Sequence, residues 1–224
     1  MTAPVRRPLA TAPPGAVLLV RQHRFRPNPE TATDNAFQAP ARAPDDVLAR
    51  RAVGEVTALA EALDGAGVDV HLVEDHDGSR PDSVFPNNWF TTHEDGTLVL
   101  HPMAAPSRRA ERREDVLALL RERHAVRRVL DLSPLERRGL YLEGTGAMVL
   151  DRVARVAYVC RSRRAAPEAV AWYCAELGYE PLFFDAVGPG GQAVYHTNVM
   201  LCVARDLVLA GLAGFAFDAW LHLE

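Results

Sequence analysis

The 224-residue chain contains no lysine and no isoleucine, and it has only three cysteines. The first two absences, beside abundant Ala, Arg, Leu and Val, mark a GC-rich, bacterial type of coding bias and carry no functional meaning. Three cysteines at unrelated spacings form neither a disulfide framework nor a zinc motif. No apolar run approaches the length of a membrane span. The opening MTAPVRRPLATAPPG is charged and lacks the apolar segment of a secretory signal, so the cytoplasm is the expected location. A strong excess of either charge is also missing. The net charge is −4 with basic residues scattered among acids, which leaves no footprint for nucleic acid or an anionic membrane. The Arg-rich stretch from Arg108 to Arg113 contains Glu111 and runs into Glu114 and Asp115, so it reads as a solvated helix face.

What is present is an ordinary globular balance, 48% apolar and 24% charged, long enough for one substantial domain or two small ones. Residues 1–15 read as a disordered Pro- and Ala-rich lead-in. AVLLV from Ala16 is a buried strand, and the polar, Pro-containing stretch Arg21 to Pro44 is a long loop. An apolar stripe through Val47, Leu48, Val53, Val56, Leu59, Ala60 and Leu63 predicts a helix from Asp45 to Gly65, and Val68 to Val73 alternates as a strand.

From there the pattern repeats. A hairpin from Val84 to Leu100 turns at Glu94-Asp95-Gly96, then a helix from Ser107 to His124 leads to a strand at Val126–Leu130. A second unit runs from Glu143 through Cys160, a helix at Pro167–Gly178 and a strand at Tyr179–Phe184. A third begins with Val194–Ala204, turns at Arg205-Asp206 and continues at Leu207–Ala210. The recurring strand–strand–helix–strand order predicts a repeat architecture. Each hairpin opens on polar residues, at Asn88, Glu143 and His196. Radially packed units would bring those openings to one concave site. After Gly211 the chain departs from the pattern, and 212–224 form an atypical apolar tail that reads as truncated or frameshifted.

Taken singly, each polar motif has a structural alternative. Asp82-Ser83 can form a turn and Pro86 an edge position. Glu143 can stand at an exposed strand end, and a single histidine such as His196 is often just hydrogen-bonded. A carboxylate near His196 would instead hold its charge change close to neutral pH, as acid–base chemistry needs. Cys202 would lie about 20 Å from His196 along an extended chain, too far for a pair. Cys174 belongs to an apolar helix face. Cys160 lies roughly opposite Glu143, with packing the favoured role and substitute nucleophile the minor one.

RPNPETATDNAFQ (Arg26–Gln38), PDSVFPNNWF (Pro81–Phe90), YLEGTGAMVLDR (Tyr141–Arg152) and YHTNVM (Tyr195–Met200) together resemble the amidinotransferase-like, citrulline-hydrolase branch of the pentein superfamily, whose relatives include arginine deiminase and dimethylarginine dimethylaminohydrolase. The resemblance implies an α/β fold, a five-bladed propeller of ββαβ-type modules, here about three and a half of them within residues 16–211. It implies cytoplasmic hydrolysis of the ureido or guanidino group of a citrulline- or arginine-type amino acid, by a Cys–His covalent route without metal or cofactor. By motif, His196 is the general acid–base residue, Glu143 its carboxylate partner and Asp82 a ligand for substrate nitrogen. Asn87 and Asn88 stand where guanidine-using relatives tend to carry acids, which points to a neutral ureido substrate.

One departure matters. The family's nucleophilic cysteine lies near the C-terminus in a Gly-rich segment, and no such segment is present in this sequence. The expectation is therefore a chain inactive alone, with exposed sheet edges. The alternative is a non-catalytic module that binds a ureido or guanidino amino acid. A homo-oligomer is compatible with either.

Overall fold

The computed structural model describes residues 15–32, 35, 38, 41–188, 191–204 and 207–211. The atypical tail at 212–224, the turn at Arg205-Asp206 and nearly all of the lead-in lie outside the described residues. The described chain is α/β and divides its strands among four small sheets.

The first sheet pairs β1 (Ala16–Gln22) in parallel with β2 (Asp69–Asp75), joined by α1 (Asp45–Gly65). Asp45 and Asp46 sit in the first turn of α1, where carboxylates suit the positive end of the helix dipole. The second sheet has the order β3 (Phe90–Thr92), β4 (Thr97–Leu100), β5 (Arg128–Asp131). Two helices precede β5, namely α2 (Pro106–Arg109) and α3 (Glu114–Arg123). The β3–β4 turn needs its glycine. Gly96 has φ +80°, and a Cβ there would lie 2.3 Å from the Ala125 carbonyl oxygen.

The third sheet repeats the second. After α4 (Gly144–Ala147) come β6 (Met148–Asp151), β7 (Val156–Cys160), α5 (Pro167–Leu177) and β8 (Glu180–Phe184), in the order β6-β7-β8. Pro167 opens α5, and Gly178 at φ +69° closes it while the Tyr179 amide donates back to the Cys174 carbonyl. The last sheet is the antiparallel pair β9 (Leu201–Val203) and β10 (Val208–Ala210). The repeated order read from the sequence is thus present in the second and third sheets.

Side-chain alternation explains how the sheets stack. On β4, Leu98 joins Trp89, Met103, Val116 and Leu120 around α3, while Val99 joins Tyr173, Val170 and Met148 around α5 of the next unit. On β7, Ala157 and Val159 face α5, while Cys160 packs with Phe184, Ala186 and Val194. Central strands buried on both faces are what their unbroken apolar runs require. Each large aliphatic side chain so buried contributes about 1.5–3 kcal/mol relative to exposure. At the far end Leu207, Val208 and Leu209 are each more than half exposed.

Two expectations need correction. The polar hairpin openings are not strands. Pro86–Asn88 and Thr197–Val199 are single 3₁₀ turns and Gly144–Ala147 is a helical turn, so the ladders begin only at Phe90, Met148 and Leu201. Short polar side chains and Pro86 favour turns over a ladder. The chain between His196 and Cys202 is therefore not extended, and the distance estimated from an extended strand does not apply. The predicted helix from Ser107 to His124 is also broken in two. Arg108 in α2 and Glu111 between the two helices turn inward, 2% and 1% exposed, so the stretch is not a solvated face.

The core also contains histidines. Burial lowers His93 from the usual 6.5 to about 4 and His101 to about 3. Both are lowered below their unfolded value, so their contribution is complete above about pH 6.5 and is lost as the pH falls. Urea denaturation between pH 7 and pH 4 should show a stability decline that is weaker in His101→Asn. An unchanged decline would remove these histidines as its cause.

Candidate functional site

The three polar turns pack directly against one another, and two glycines make this possible. Gly144 has φ +47°, and a Cβ on it would lie 2.3 Å from the Asn87 carbonyl oxygen. A Cβ on Gly146 would lie 2.2 Å from Asn88 Nδ2 and 2.9 Å from both Cε1 and Nδ1 of His196. The Gly-Thr-Gly of this motif is therefore a point of contact between turns. Thr197 ties the same junction together, donating to the Ala147 carbonyl at 2.6 Å and accepting from the Cys160 amide at 2.8 Å.

His196 and Glu143 form a buried pair, with His196 Nε2 2.9 Å from Glu143 Oε2. The same carboxylate oxygen accepts from Arg164 at 3.3 Å, and Oε1 accepts from the Ala104 amide at 3.1 Å. Burial alone would raise the Glu143 carboxyl, but the His196 hydrogen bond and the neighbouring positive charges bring it down to about 2. Glu143 is thus an anion throughout the neutral range. Burial pulls His196 below its ordinary value, opposed by its hydrogen bond to Glu143. The imidazole is held as a neutral base beside a fixed negative charge.

Arg108 connects this pair to the PDSVFPNN segment. Its guanidinium forks onto Glu111 with two bonds of 2.9 Å and donates to Asn88 Oδ1 at 2.7 Å. It lies 3.8 Å from Glu143 and 3.9 Å from Asp82. Desolvation would weaken its hold on a proton, but Glu111, Glu143 and Asp82 more than compensate and raise its pKa. Burial, with the charges of Asp82 and Glu143, pushes Glu111 up to about 7 against the pull of Arg108.

Asp82 Oδ2 accepts from Asn28 Nδ2 at 2.8 Å and from Thr31 Oγ1 at 3.3 Å. Gln38 in turn donates to the Asn28 carbonyl. Asp82, Asn28, Gln38, Phe85 and Tyr195 line a cavity of about 550 Å³. Asn87 lines a different cavity of about 540 Å³, with Thr91, His93 and Thr145. The structure therefore joins Asp82, Asn88, Glu143 and His196 in one network and sets Asn87 apart from the Asp82 cavity.

The cysteines are placed otherwise. Cys160 is buried, its Sγ donates to the Val194 carbonyl at 3.3 Å, and burial pushes its pKa up to about 11. Cys174 is buried in α5 with the same consequence, and Cys202 is exposed. Among the described residues, no trio of His, Cys, Asp or Glu suited to a metal lies within this network.

Sequence reasoning missed Arg108, Glu111, Arg164, Asn28 and Thr31. Asn28 and Thr31 lay in the Arg26–Gln38 motif without an assigned role. An Arg and a Glu three apart read alike whether buried or solvated, so nothing local distinguishes Arg108 and Glu111.

No curated protein matches the chain. Among solved structures, the fold resembles ArgZ, an arginine dihydrolase from the ornithine–ammonia cycle in cyanobacteria, at 17% identity and TM-score 0.69, covering 91% of this chain and 28% of that one. Against the N-terminal domain of ArgZ bound to substrate, 18% identical with TM-score 0.67, it covers 91% of this chain and 69% of that one. Dimethylarginine dimethylaminohydrolase from Pseudomonas aeruginosa, in a mutant complexed with citrulline, is 18% identical with TM-score 0.57, covering 86% of this chain and 68% of that one. The chain thus spans about 28% of full-length ArgZ and about two thirds of the shorter relatives. These likenesses establish a shared fold. The family model described as N,N dimethylarginine dimethylhydrolase, eukaryotic, matches residues 21–215, and the chain belongs to that family.

Proposed function

We propose that this chain forms the substrate-holding and proton-transfer part of a hydrolase acting on a guanidino group of an arginine-type amino acid. The observation that carries the reading is the buried His196–Glu143 pair, joined through Arg108 to Asn88 and lying near Asp82. Asp82 would hold the substrate nitrogens from the wall of the adjoining cavity. In the reaction neutral His196 takes the proton of the incoming thiol, the thiolate attacks the guanidino carbon, and the C–N bond breaks as protonated His196 passes that proton to the leaving amine. Water then attacks the sulfur-linked carbon. His196 takes the water's proton, and the thiolate leaves with a ureido product. One solved relative, the N-terminal domain of ArgZ, has been captured covalently bound to a reaction intermediate, which supports a covalent route.

A guanidino substrate is favoured over the ureido one expected from Asn87 and Asn88. Asn88 Oδ1 is committed to Arg108, and Asn87 lines the other cavity. That leaves Asp82 to select, and a carboxylate prefers a cation to a neutral group. This reading takes the thiolate from none of the three cysteines: Cys160 and Cys174 are buried with raised pKa values, and none of the three lines the Asp82 cavity. The reading therefore assigns the nucleophile to a segment outside this chain, and the chain alone to binding without turnover. The larger fold that would complete the site is a five-bladed pentein propeller, in keeping with the repeated strand–strand–helix–strand units.

Calorimetry with L-arginine, asymmetric dimethylarginine and L-citrulline, beside assays for ammonia release and, from the dimethylated ligand, dimethylamine release, tests this. Arginine-class ligands should bind more tightly than citrulline, Asp82→Asn should weaken them, and no ammonia or dimethylamine should appear. Absence of binding by all three ligands defeats the assignment. Ammonia or dimethylamine release by the chain alone defeats the statement about the nucleophile, and its loss in Cys160→Ser would name the substitute.

A further inference from the structure

A second constellation of chemically able side chains lies outside this network, at the C-terminal end of the first sheet. Ala16 lies opposite Asp69 and Gln22 opposite Asp75 in the parallel ladder, so the next rung sets His23 beside His76. The His23 amide still donates to the Asp75 carbonyl at 2.8 Å, which carries the pairing one residue past the strand. Alternation then decides which side chains meet. Gln22 and Asp75 are buried, while Arg21, His23, Glu74 and His76 fall on the other face.

On that face the imidazoles of His23 and His76 stack with centroids 4.2 Å apart, and His23 Nε2 is 2.6 Å from Glu74 Oε2. One ligand atom from each of His23, Glu74 and His76 lies within 4.8 Å of the others. No other group of this kind exists among the described residues. Glu74 is positioned rather than loose. Arg21 forks onto its carboxylate and is itself held by a 3.0 Å bond to Thr57 of α1.

We propose that His23, Glu74 and His76 bind a divalent transition-metal ion of the zinc class. Two imidazole nitrogens and one carboxylate oxygen are the ligand types such ions prefer, whereas Mg²⁺ and Ca²⁺ demand oxygen. Glu74 Oε2 is the donor oxygen, shared with Arg21 Nε, and Arg21 stays as an outer partner through its second bond, to Oε1. The ion takes the place of the direct contact between His23 Nε2 and Glu74 Oε2. Three protein ligands leave a fourth position for water. The small approach needed to bring all three donors to about 2 Å from one ion is available to the exposed His76 side chain, whose segment follows the strand.

Equilibrium dialysis of the tag-free chain against Zn²⁺ in the presence of excess Mg²⁺ tests the site. One Zn²⁺ per chain should be retained. His76→Ala and His23→Ala should lose saturable uptake while keeping their far-ultraviolet circular dichroism. The His71–His124 pair, whose Nε2 atoms lie 3.0 Å apart, is the competing place for an ion. His124→Ala should therefore leave uptake unchanged. No saturable uptake, displacement by Mg²⁺, retention in His76→Ala, or loss in His124→Ala would each overturn the proposal.

Discussion

Replacing Arg108 by methionine should destabilise the chain by about 3–5 kcal/mol, the usual consequence of removing one member of a buried ion pair. The side chain is 2% exposed and serves Glu111, Asn88 and the carbonyls of Asp82 and Phe85. Its loss leaves Glu111, itself fully enclosed, without a counter-charge, and removes a positive charge from beside Asp82 and Glu143. Glu111 already has its pKa raised to about 7, so a lone Glu111 would rise further. A group raised in the folded state contributes most below its unfolded value and loses that contribution as the pH rises. The defect should therefore be mildest in weak acid and grow towards alkaline pH. Urea unfolding of Arg108→Met and of Arg108→Met/Glu111→Leu measures it. The double variant should be the more stable of the two, because it strands no charge. A single variant within about 1 kcal/mol of the parent would refute the account of Arg108 as the hub.

The second large effect is expected at Gly146. A valine there should abolish binding of arginine-class ligands and destabilise the fold by about 1–3 kcal/mol, the range for overpacking a filled space. The new Cβ meets Asn88 Nδ2 at 2.2 Å and the His196 ring at 2.9 Å, so both must shift. His196 cannot swing without giving up its 2.9 Å bond to Glu143, and Asn88 cannot without disturbing Arg108. Gly54 supplies the control. It lies inside α1, where an added Cβ would meet nothing within 4 Å, and Gly54→Ala should stabilise by about 1 kcal/mol through helix propensity alone. Ligand binding by Gly146→Val at parental affinity would show that the turns do not need this close approach.

Much of the fold was legible because it is written in local periodicity. The stripe from Val47 to Leu63 marks α1 within its observed bounds, and the Asp95-Gly96 turn joins β3 to β4 as expected. The repeated unit could be read because the same alternation recurs. The start of each ladder could not. An apolar strand and the polar turn leading into it form one continuous run, and only backbone pairing separates Asn88 from Phe90 or Glu143 from Met148.

The candidate site divides along the same line. Glu143 and His196 stood out from the sequence as polar openings of apolar hairpins, while Asp82 was singled out by the family resemblance. Arg108 did not stand out, because its charged neighbours gave it the pattern of a surface helix. Local charge spacing reports which residues can pair, not whether water has been excluded around them.

The sequence by itself determined the order of the elements, the repeated unit and the residue types able to move a proton or hold a cation. Tertiary structure alone decided which of them meet. Glu143 reaches His196, Asp82 reaches Asn28, and His23 stands beside His76 through contacts between segments far apart in the chain. The reason is physical: these contacts depend on strand register, on two glycines that admit a neighbouring turn, and on burial. Register arises only when strands distant in the chain pair, and the close turns and the burial only when separate sheets pack together.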